Sequence, residues 1–305
     1  MIRTSEAAAG KWHGILSRMG VDDSYLRNRH GPCPMCGGKD RFRFDDKDGR
    51  GTWICNQCGA GDGIDLAVRY TGKEFKAVAK EIDLIAGNVE PRRAPQQPDP
   101  RKRLRRVARA ARAIRKDDPV GIYLSSRGVS PMQPLRAIDR LPYYQDGEAI
   151  GEYPAMAALF HSRDGEPLTY HLTYLSAEGR RIHNPSKKIL PPVGKMSGGA
   201  IRLGGLSESI GIAEGIETAL AVSQFFDVTC WAATSATMLE AFRPPEGVTS
   251  VTVYADNDEN YTGQKSAYAL ANRLALAGYG VSVFVPAVSG HDFHDQIQQY
   301  REAQC

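Results

Sequence analysis

Four of the six cysteines fall into two Cys-x-x-Cys pairs, and this pattern constrains the fold more than any other feature of the 305-residue chain. The first pair is Cys33 and Cys36, and the second is Cys55 and Cys58. Two such pairs can place four thiolates around one tetrahedral Zn²⁺, and glycines follow each pair where the chain must turn sharply. The spacing therefore predicts a zinc ribbon with one structural Zn²⁺ bound by all four cysteines.

Two alternatives to this zinc site stay open from the residues alone. Disulfides are the first, but the N-terminus lacks the apolar segment of a signal peptide, so we expect the cysteines to stay reduced. His30 lies three residues before Cys33 and is an alternative ligand, whereas Cys230 sits in an apolar segment and is expected in the core. No apolar run is long enough to cross a membrane, so the sequence predicts a cytoplasmic protein with no membrane partner.

The segments beside the cysteines alternate in the manner of β-strands. In residues 41–45 the arginines share one face and the phenylalanines the other, and residues 52–55 form the partner strand. We expect the phenylalanines in a small core, while Trp53 is open between that core and an exposed surface that stacks bases. Residues 61–87 have the periodicity of two short helices that pack on the ribbon. The candidate nucleic-acid contacts of this segment are Lys39, Arg41, Arg43 and Trp53.

The net charge of +4 conceals two regions of opposite charge. Residues 91–116 carry eleven Lys and Arg against one Asp, whereas residues 201–305 carry five against twelve acidic residues. A Pro-rich linker over 88–100 leads into a predicted basic helix over 101–116, with Asp99 as its N-cap. Its apolar stripe is expected to pack on the next domain and its arginines to face nucleic acid, the alternative being a merely solvated face.

The acidic region alternates short apolar strands with helices, which predicts a parallel α/β sheet. The predicted strands are 209–213, 228–232, 251–256 and 281–287, and the predicted helices are 215–226, 235–242 and 263–277. Because the carboxyl ends of parallel strands share one edge, the acids that follow them should converge. These acids are Glu214, Asp256, Asp258, Asp292 and Asp295. Crowded carboxylates predict a Mg²⁺ or Mn²⁺ site, with helix N-capping as the alternative for one or two of them.

Four stretches together resemble the bacterial and phage-type (DnaG-like) primases, in the phage- and plasmid-encoded branch. They are CPMCGGKDRFRFDD (33–46), TWICNQCGAGDGIDL (52–66), IAEGIETALA (212–221) and YADNDENYTGQKSA (254–267). The resemblance implies a multidomain α/β (α+β) chain with an N-terminal β zinc ribbon and a C-terminal Toprim parallel sheet. The implied domains are a template-binding ribbon (1–87), a linker with a basic helical hinge (88–118), a mixed α/β N-terminal part of the RNA polymerase core (119–205) and the Toprim catalytic domain (206–305).

The implied activity is that of a DNA primase, which makes short RNA primers on a single-stranded DNA template from ribonucleoside triphosphates. The resemblance assigns the catalytic metals to Glu214, Asp256 and Asp258, with Asp292 as a further magnesium ligand. The last acidic motif differs from the family in spacing and has His291 in place of the usual Lys. The implied setting is replication of a phage, plasmid or other mobile element by two-metal nucleotidyl transfer.

The middle region is implied to bind template and nucleotides on a basic ridge. Its candidates are Arg127, Arg181, Asn184, Lys187, Lys188 and Lys195. Two other classes also combine such domains: recombination mediators, which bind DNA without catalysis, and Toprim nucleases. Type I topoisomerases need a strand-passage domain with a catalytic Tyr, for which 305 residues leave no room. No helicase signature follows the Toprim region, so we expect a separate replicative helicase as partner.

Overall fold

The computed structural model describes residues 3–89, 99–145, 148–183 and 185–304, and the chain divides into two compact units, Met1–Gln97 and Pro98–Cys305. The described helices are α1 (Thr4–Ala7), α2 (Trp12–Arg18), α3 (Gly63–Thr71), α4 (Phe75–Ala86), α5 (Pro100–Ala110), α6 (Pro119–Ser126), α7 (Ile216–Phe226), α8 (Ala236–Ala241), α9 (Thr262–Leu276) and α10 (Phe293–Glu302). The described strands are β1 (Gly31–Cys33), β2 (Gly37–Phe44), β3 (Trp53–Cys55), β4 (Gly59–Gly61), β5 (Leu135–Gln145), β6 (Glu148–His161), β7 (Pro167–Tyr174), β8 (Lys187–Ile189), β9 (Ala200–Ile201), β10 (Ser209–Ala213), β11 (Cys230–Ala232), β12 (Ser250–Tyr254) and β13 (Gly280–Phe284). None of these helices combines the length and the apolar character that a membrane span requires.

The first unit is built on an antiparallel sheet in the order β1-β2-β3-β4. Side chains alternate along β2, so Phe42 and Phe44 are buried while Arg41 and Arg43 are partly exposed. The predicted core position of both phenylalanines is confirmed. Burial of each aromatic side chain contributes about 1.5–3 kcal/mol to the free energy of folding. So small a core rarely stabilises a domain by itself, so this sheet needs a further stabilising element such as a bound metal.

Trp53 belongs to this core and is not available to stack a base. Its side chain is 2% exposed, and its ring stacks on Phe42 with 5.8 Å between ring centroids. The indole N–H donates to the carbonyl oxygen of Asp62 at 3.1 Å. The register that pairs Trp53 with Phe44 fixes this inward direction. The structure therefore corrects the nucleic-acid role considered for Trp53.

The second unit contains one mixed sheet of nine described strands. Strands β13, β12, β10 and β11 are parallel, which confirms the predicted parallel α/β sheet. The sheet continues through the short strand β9 into an antiparallel half in the order β6-β7-β8, with β5 paired to β6. The helix α7 is buried along residues 216–223 because it packs in the core under this sheet.

The basic helix is shorter than the sequence predicted. Asp99 caps it as expected, accepting a hydrogen bond from the backbone N–H of Arg101 at 3.0 Å, but α5 ends at Ala110. Arg112 leaves the helical path because its backbone forms a β-bridge to Ala137, with N–O distances of 2.9 and 3.0 Å. Its guanidinium also pairs with Asp118 at 2.6 Å. Residues 90–98 of the predicted linker lie outside the described residues.

Candidate active site and zinc site

The four predicted zinc ligands converge in the first unit. Cys33 Sγ lies 3.9 Å from Cys58 Sγ, and Cys36 Sγ lies 3.7 Å from Cys55 Sγ. All four sulfur atoms lie within 4.8 Å of one another. Four sulfurs bound to a tetrahedral Zn²⁺ at about 2.3 Å stand about 3.8 Å apart, so the cluster fits this ion.

The backbone supports the same assignment. Gly37 and Gly59 adopt φ angles of +69° and +90°, the turns that follow each cysteine pair. Burial disfavours the Cys55 thiolate, yet hydrogen bonds from the backbone N–H groups of Cys58 and Gln57 and from neighbouring thiols lower its pKa to about 7. In the same cluster, burial raises the pKa of Cys33, and the hydrogen bond with Cys36 together with burial raises the pKa of Cys58 to about 12, so one thiol of the four ionises first. A thiol that ionises near neutral pH is ready to bind a metal.

The two alternatives to a four-cysteine zinc site do not fit this geometry. The cysteines are free thiols, and their sulfur atoms are too far apart for a disulfide bond of about 2.05 Å. His30 forms a hydrogen bond to the carbonyl oxygen of Asp40 at 3.1 Å and lies outside the sulfur cluster. The described ligand set is therefore the four cysteines.

Acidic side chains follow the parallel strands of the second unit at their carboxyl ends. Glu214 follows β10 directly, and Asp256 follows β12. These strands are neighbours, with Ala213 opposite Tyr254, so the sheet brings the two acids to one edge. Asp258 Oδ2 accepts a hydrogen bond from the backbone N–H of Gly263 at 2.8 Å. The strand order therefore places Glu214 and Asp256 at the same edge of the sheet, as the sequence predicts.

The glycine at position 263 is required by this arrangement. A Cβ atom there would lie 2.7 Å from the backbone oxygen of Asp256 and 3.1 Å from Asp258 Oδ2. Any larger residue would push the start of α9 away from both acids. The helix can approach the carboxylates closely only because residue 263 has no side chain.

The carboxylates repel one another, and this repulsion is strongest at Asp256. Burial, together with the charges of Glu214, Asp292, Asp258 and Asp295, raises the pKa of Asp256 from 3.8 to about 7. Its Oδ1 atom is buried and has no hydrogen-bond partner among the described residues. Burial and Asp258 also raise the pKa of Glu214, while Lys187 lowers it. Because a hard cation relieves both the repulsion and the unpaired oxygen, these residues fit a divalent metal.

The edge formed by Glu214, Asp256 and Asp258, named the metal edge for the cation it is predicted to hold, is more open than the four-cysteine cluster. Within the described part of the chain, the groups whose ligand atoms all lie within 4.8 Å are the four cysteines and the trio Asp292, His294 and Asp295. Glu214, Asp256 and Asp258 are spread more widely. Oxygen ligands on separate strand ends leave room for substrate oxygens and water, which Mg²⁺ usually retains.

Asp292 is the N-cap residue of α10. Its Oδ1 accepts from the backbone N–H of Asp295 at 2.9 Å, and its Oδ2 accepts from the hydroxyl of Thr218 at 2.8 Å. Asp295 Oδ2 in turn accepts a hydrogen bond from the backbone N–H of Asp292 at 3.3 Å, which completes a capping box. N-capping therefore accounts for the position of Asp292, and its role as a metal ligand stays a prediction.

A buried glutamate that was not predicted as a site residue, Glu217, binds two cationic side chains beside the acidic residues. Glu217 is 4% exposed, and it accepts hydrogen bonds from Tyr123 Oη at 2.5 Å and from Arg181 Nη2 at 2.6 Å. Lys187 Nζ lies 3.2 Å from its other oxygen. Burial alone would raise the pKa of Glu217, but Lys187, Arg181 and the tyrosine hydroxyl hold it well below its usual range. The only available signal was an acid in the first turn of an otherwise apolar helix.

Replacing Glu217 with Gln is expected to lower the free energy of unfolding by about 2–3 kcal/mol, because two cations lose their buried partner while their exposed ends stay hydrated. Urea unfolding measures this change. Glu240→Gln, at an exposed position of α8, is the matched control and should change stability by less than about 0.5 kcal/mol. Equal losses in the two variants would contradict the anchoring role.

The remaining candidates of the middle region do not form a single ridge. Lys187 and Lys188 are adjacent in β8 and therefore point to opposite faces. Lys188 Nζ lies 3.7 Å from the ring centroid of Tyr143 and donates to the backbone oxygen of Tyr144. This corrects the prediction that both lysines line one surface.

Arg127 is also engaged within the unit. Its Nη2 lies 3.0 Å from His294 Nδ1, and its backbone oxygen lies 2.6 Å from His294 Nε2. It therefore joins the end of α6 to α10, and its Nε is buried. Among the other candidates, Lys39 and Lys195 are exposed, and Asn184 lies outside the described residues.

The arginines of the ribbon sit on its partly exposed face. Arg41 donates to Gln57 Oε1 at 2.6 Å, and Arg43 pairs with Asp45 at 3.7 Å. Both contacts hold the guanidinium groups near the surface of β2.

Comparison with known families identifies the two ends of the chain. Residues 28–64 match the zinc-binding domain of primase-helicase, and residues 209–302 match the Toprim domain. The chain carries a primase zinc ribbon and a Toprim domain. The resemblance to DnaG-like primases is therefore confirmed, as are the multidomain α/β fold and the metal-binding ribbon. Residues 98–203, between them, match a domain of unknown function (DUF7146).

Three solved primase structures align with this chain at TM-scores below 0.5 and at low identity. The Aquifex aeolicus primase, with its zinc-binding and RNA polymerase domains, aligns with a TM-score of 0.45 and 14% identity over 100% of this chain and 84% of that chain. The primase fragment of the bacteriophage T7 primase-helicase protein aligns with a TM-score of 0.41 and 14% identity over 90% and 96%. A DNA primase domain from Pseudomonas aeruginosa gives 0.38 and 15% over 60% and 69%.

Proposed function

We propose that this protein is a DNA primase that makes short RNA primers on single-stranded DNA by two-metal nucleotidyl transfer. The observation that carries the proposal is the acidic edge of Glu214, Asp256 and Asp258, with the ammonium group of Lys187 close enough to lower the pKa of Glu214. This edge occurs in a chain that also carries a primase zinc ribbon. A binding protein without catalysis has no need of such mutually repelling acids.

Each side chain has a defined task in this proposal. Glu214, Asp256 and Asp258 hold divalent cations, which supply charge neutralisation at the phosphates and orientation of the attacking 3′ hydroxyl. Arg181 and Lys187 bind the triphosphate of the incoming ribonucleotide from the side of the acidic edge. Glu217 keeps both cations in place, which reduces the ordering cost of nucleotide binding. No side-chain nucleophile is required, because the 3′ hydroxyl loses its proton and attacks the α-phosphate of the incoming ribonucleotide directly, and the bond to the β-phosphate breaks to release pyrophosphate.

The zinc ribbon is proposed to contact the template. Lys39, Arg41 and Arg43 offer cationic groups on one side of β2, and Lys195 is an exposed candidate in the second unit. Template contacts of this kind bind phosphates and carry little sequence information. The cytoplasmic location, the service to a mobile element and the separate replicative helicase belong to the same proposal.

The test is an incubation of the full chain with single-stranded DNA, four ribonucleotides and Mg²⁺ or Mn²⁺. We expect short RNA products that depend on the template. Shortening of the DNA itself would indicate a Toprim nuclease. Binding of DNA with neither product would indicate a recombination mediator and would overturn the proposal.

A further inference from the structure

The helix α5 carries two opposite stripes of side chains. Successive residues of an α-helix are about 100° apart, so Lys102, Arg105, Arg106 and Arg109 share a face about 100° wide. We name this face the cationic stripe. Leu104 and Val107 lie on the opposite side of the helix.

The apolar side holds the helix in a fixed orientation. Val107 is 4% exposed and belongs to a core cluster with Ile138, Tyr143 and Leu172, while Leu104 packs against the same cluster. The helix therefore lies against β5 and β7 of the antiparallel half-sheet. The cationic stripe must face solvent as a consequence, on a rigid support and not on a mobile tail.

The cations of the stripe have no partner of their own. In residues 3–89, 99–145, 148–183 and 185–304, none of these four side chains takes part in an ion pair or a hydrogen bond. Together with Ala110 they border an open space of about 440 Å³ between the exposed side chains on this face of α5. None of the carboxylates at the metal edge lines it. Four unpaired cations on one exposed helix face repel each other unless an anion lies between them.

We infer that the cationic stripe of α5 is a binding site for the sugar-phosphate backbone of single-stranded nucleic acid, separate from the metal edge. Three of its four cations are arginines, whose planar guanidinium groups bind phosphate oxygens in pairs. From Lys102 to Arg109 the helix rises about 10 Å, a length over which a single strand presents about two backbone phosphates. The inference deepens the proposed function, because it adds a place where template or product strand is held.

The test compares two double variants of the full chain that remove the same charge from the same helix. Arg105→Gln/Arg106→Gln changes the stripe, whereas Arg101→Gln/Arg103→Gln changes the flanks, about 100° away on either side. Glutamine keeps the helix propensity of arginine. Fluorescence anisotropy with a labelled oligothymidylate is measured over a series of salt concentrations, without nucleotides or divalent cations. Circular dichroism checks that both variants are folded.

For the stripe variant we expect the slope of log K against log salt to fall by about 1.4 and the affinity at 0.1 M salt to fall about 25-fold, as the loss of two phosphate contacts requires. The flank variant should lose less than about threefold. Equal losses in both variants, or none in either, would overturn the inference. Selective loss of binding to a labelled polyglutamate peptide, with DNA binding intact, would assign the stripe to an acidic protein and would also overturn it.

This outcome is independent of primer synthesis. If the protein makes no RNA and the stripe variant still loses DNA affinity, the proposed function fails and the binding site stands. If the protein makes RNA and the two variants bind DNA equally, the reverse holds.

Discussion

Asp256→Asn is expected to reduce primer synthesis about 1,000-fold or more, which corresponds to about 4 kcal/mol of lost transition-state stabilisation. The substitution keeps the shape of the side chain but removes the charge at the centre of the acidic edge. Quantifying labelled RNA products per unit time measures the loss. Binding of single-stranded DNA should stay within about twofold of the unchanged protein.

The matched control is Asp227→Asn, an exposed position at the C-terminus of α7 where an asparagine is tolerated at a φ of +53°. It makes the same chemical change away from the metal edge, so its activity should be unchanged. Full activity of Asp256→Asn, or an equal loss in both variants, would refute the metal assignment.

Asp256→Asn should also make the metal-free protein more stable than the unchanged protein as the pH rises toward 8. The pKa of Asp256 is raised from 3.8 to about 7, so its favourable contribution is complete below pH 3.8 and is lost as the pH rises through 7. We therefore expect the melting temperature of Asp256→Asn to exceed that of the unchanged protein increasingly from pH 5 to pH 8 without added divalent cations. Adding Mg²⁺ should narrow this difference, because the cation stabilises only the charged form. A constant difference across this range would contradict the raised pKa.

Cys55→Ser is expected to unfold the zinc ribbon. Structural Zn²⁺ binds with an apparent free energy of about 10–16 kcal/mol, and in a small domain this binding energy is folding energy. The first unit has one compact core around Trp12, Phe42 and Trp53, too small to replace that contribution. Zinc content per chain, measured by atomic absorption, should fall from one to well below one.

Cys230→Ser is the matched control, since it exchanges the same atom in the core of the second unit. It should keep one zinc per chain and lower the stability of the second unit instead. In Cys55→Ser, template binding should weaken while the second unit is still folded. A thermal melt should then show two transitions, the first from the zinc ribbon and the second from the Toprim strands. Loss of zinc in Cys230→Ser would contradict the four-cysteine assignment.

The strongly periodic elements could be predicted from sequence almost to the residue. The strand at 209–213 is reproduced without change, and α7 and α9 begin and end within one residue of the predicted helices. These segments combine apolar periodicity with glycine or acidic boundaries, so local chemistry and tertiary packing favour the same structure. The zinc ligands were predictable for the same reason, because four cysteines at fixed spacing leave few arrangements.

Predictions failed where a distant contact decides the outcome. The basic helix was expected to reach residue 116, but the bridge from Arg112 to Ala137 and its ion pairs end it at Ala110. The position of Trp53 was ambiguous because the alternation of a strand shows which side chains share a face, but it does not show which of the two faces is buried. Glu217 was missed because its partners, Arg181 and Lys187, lie 36 and 30 residues away in the sequence and no local pattern connects them.

The two-residue strand β9 has a consequence for where the chain can be divided. Ala200 and Ile201 pair with β6 on one side, and Ile201 pairs with Ala232 of β11 on the other. A gene fragment that starts after residue 205 would encode the acidic strands with the outer edge of β11 bare, and such an edge invites pairing with other chains. The acidic strands therefore depend on the region before residue 205 to cover the outer edge of β11.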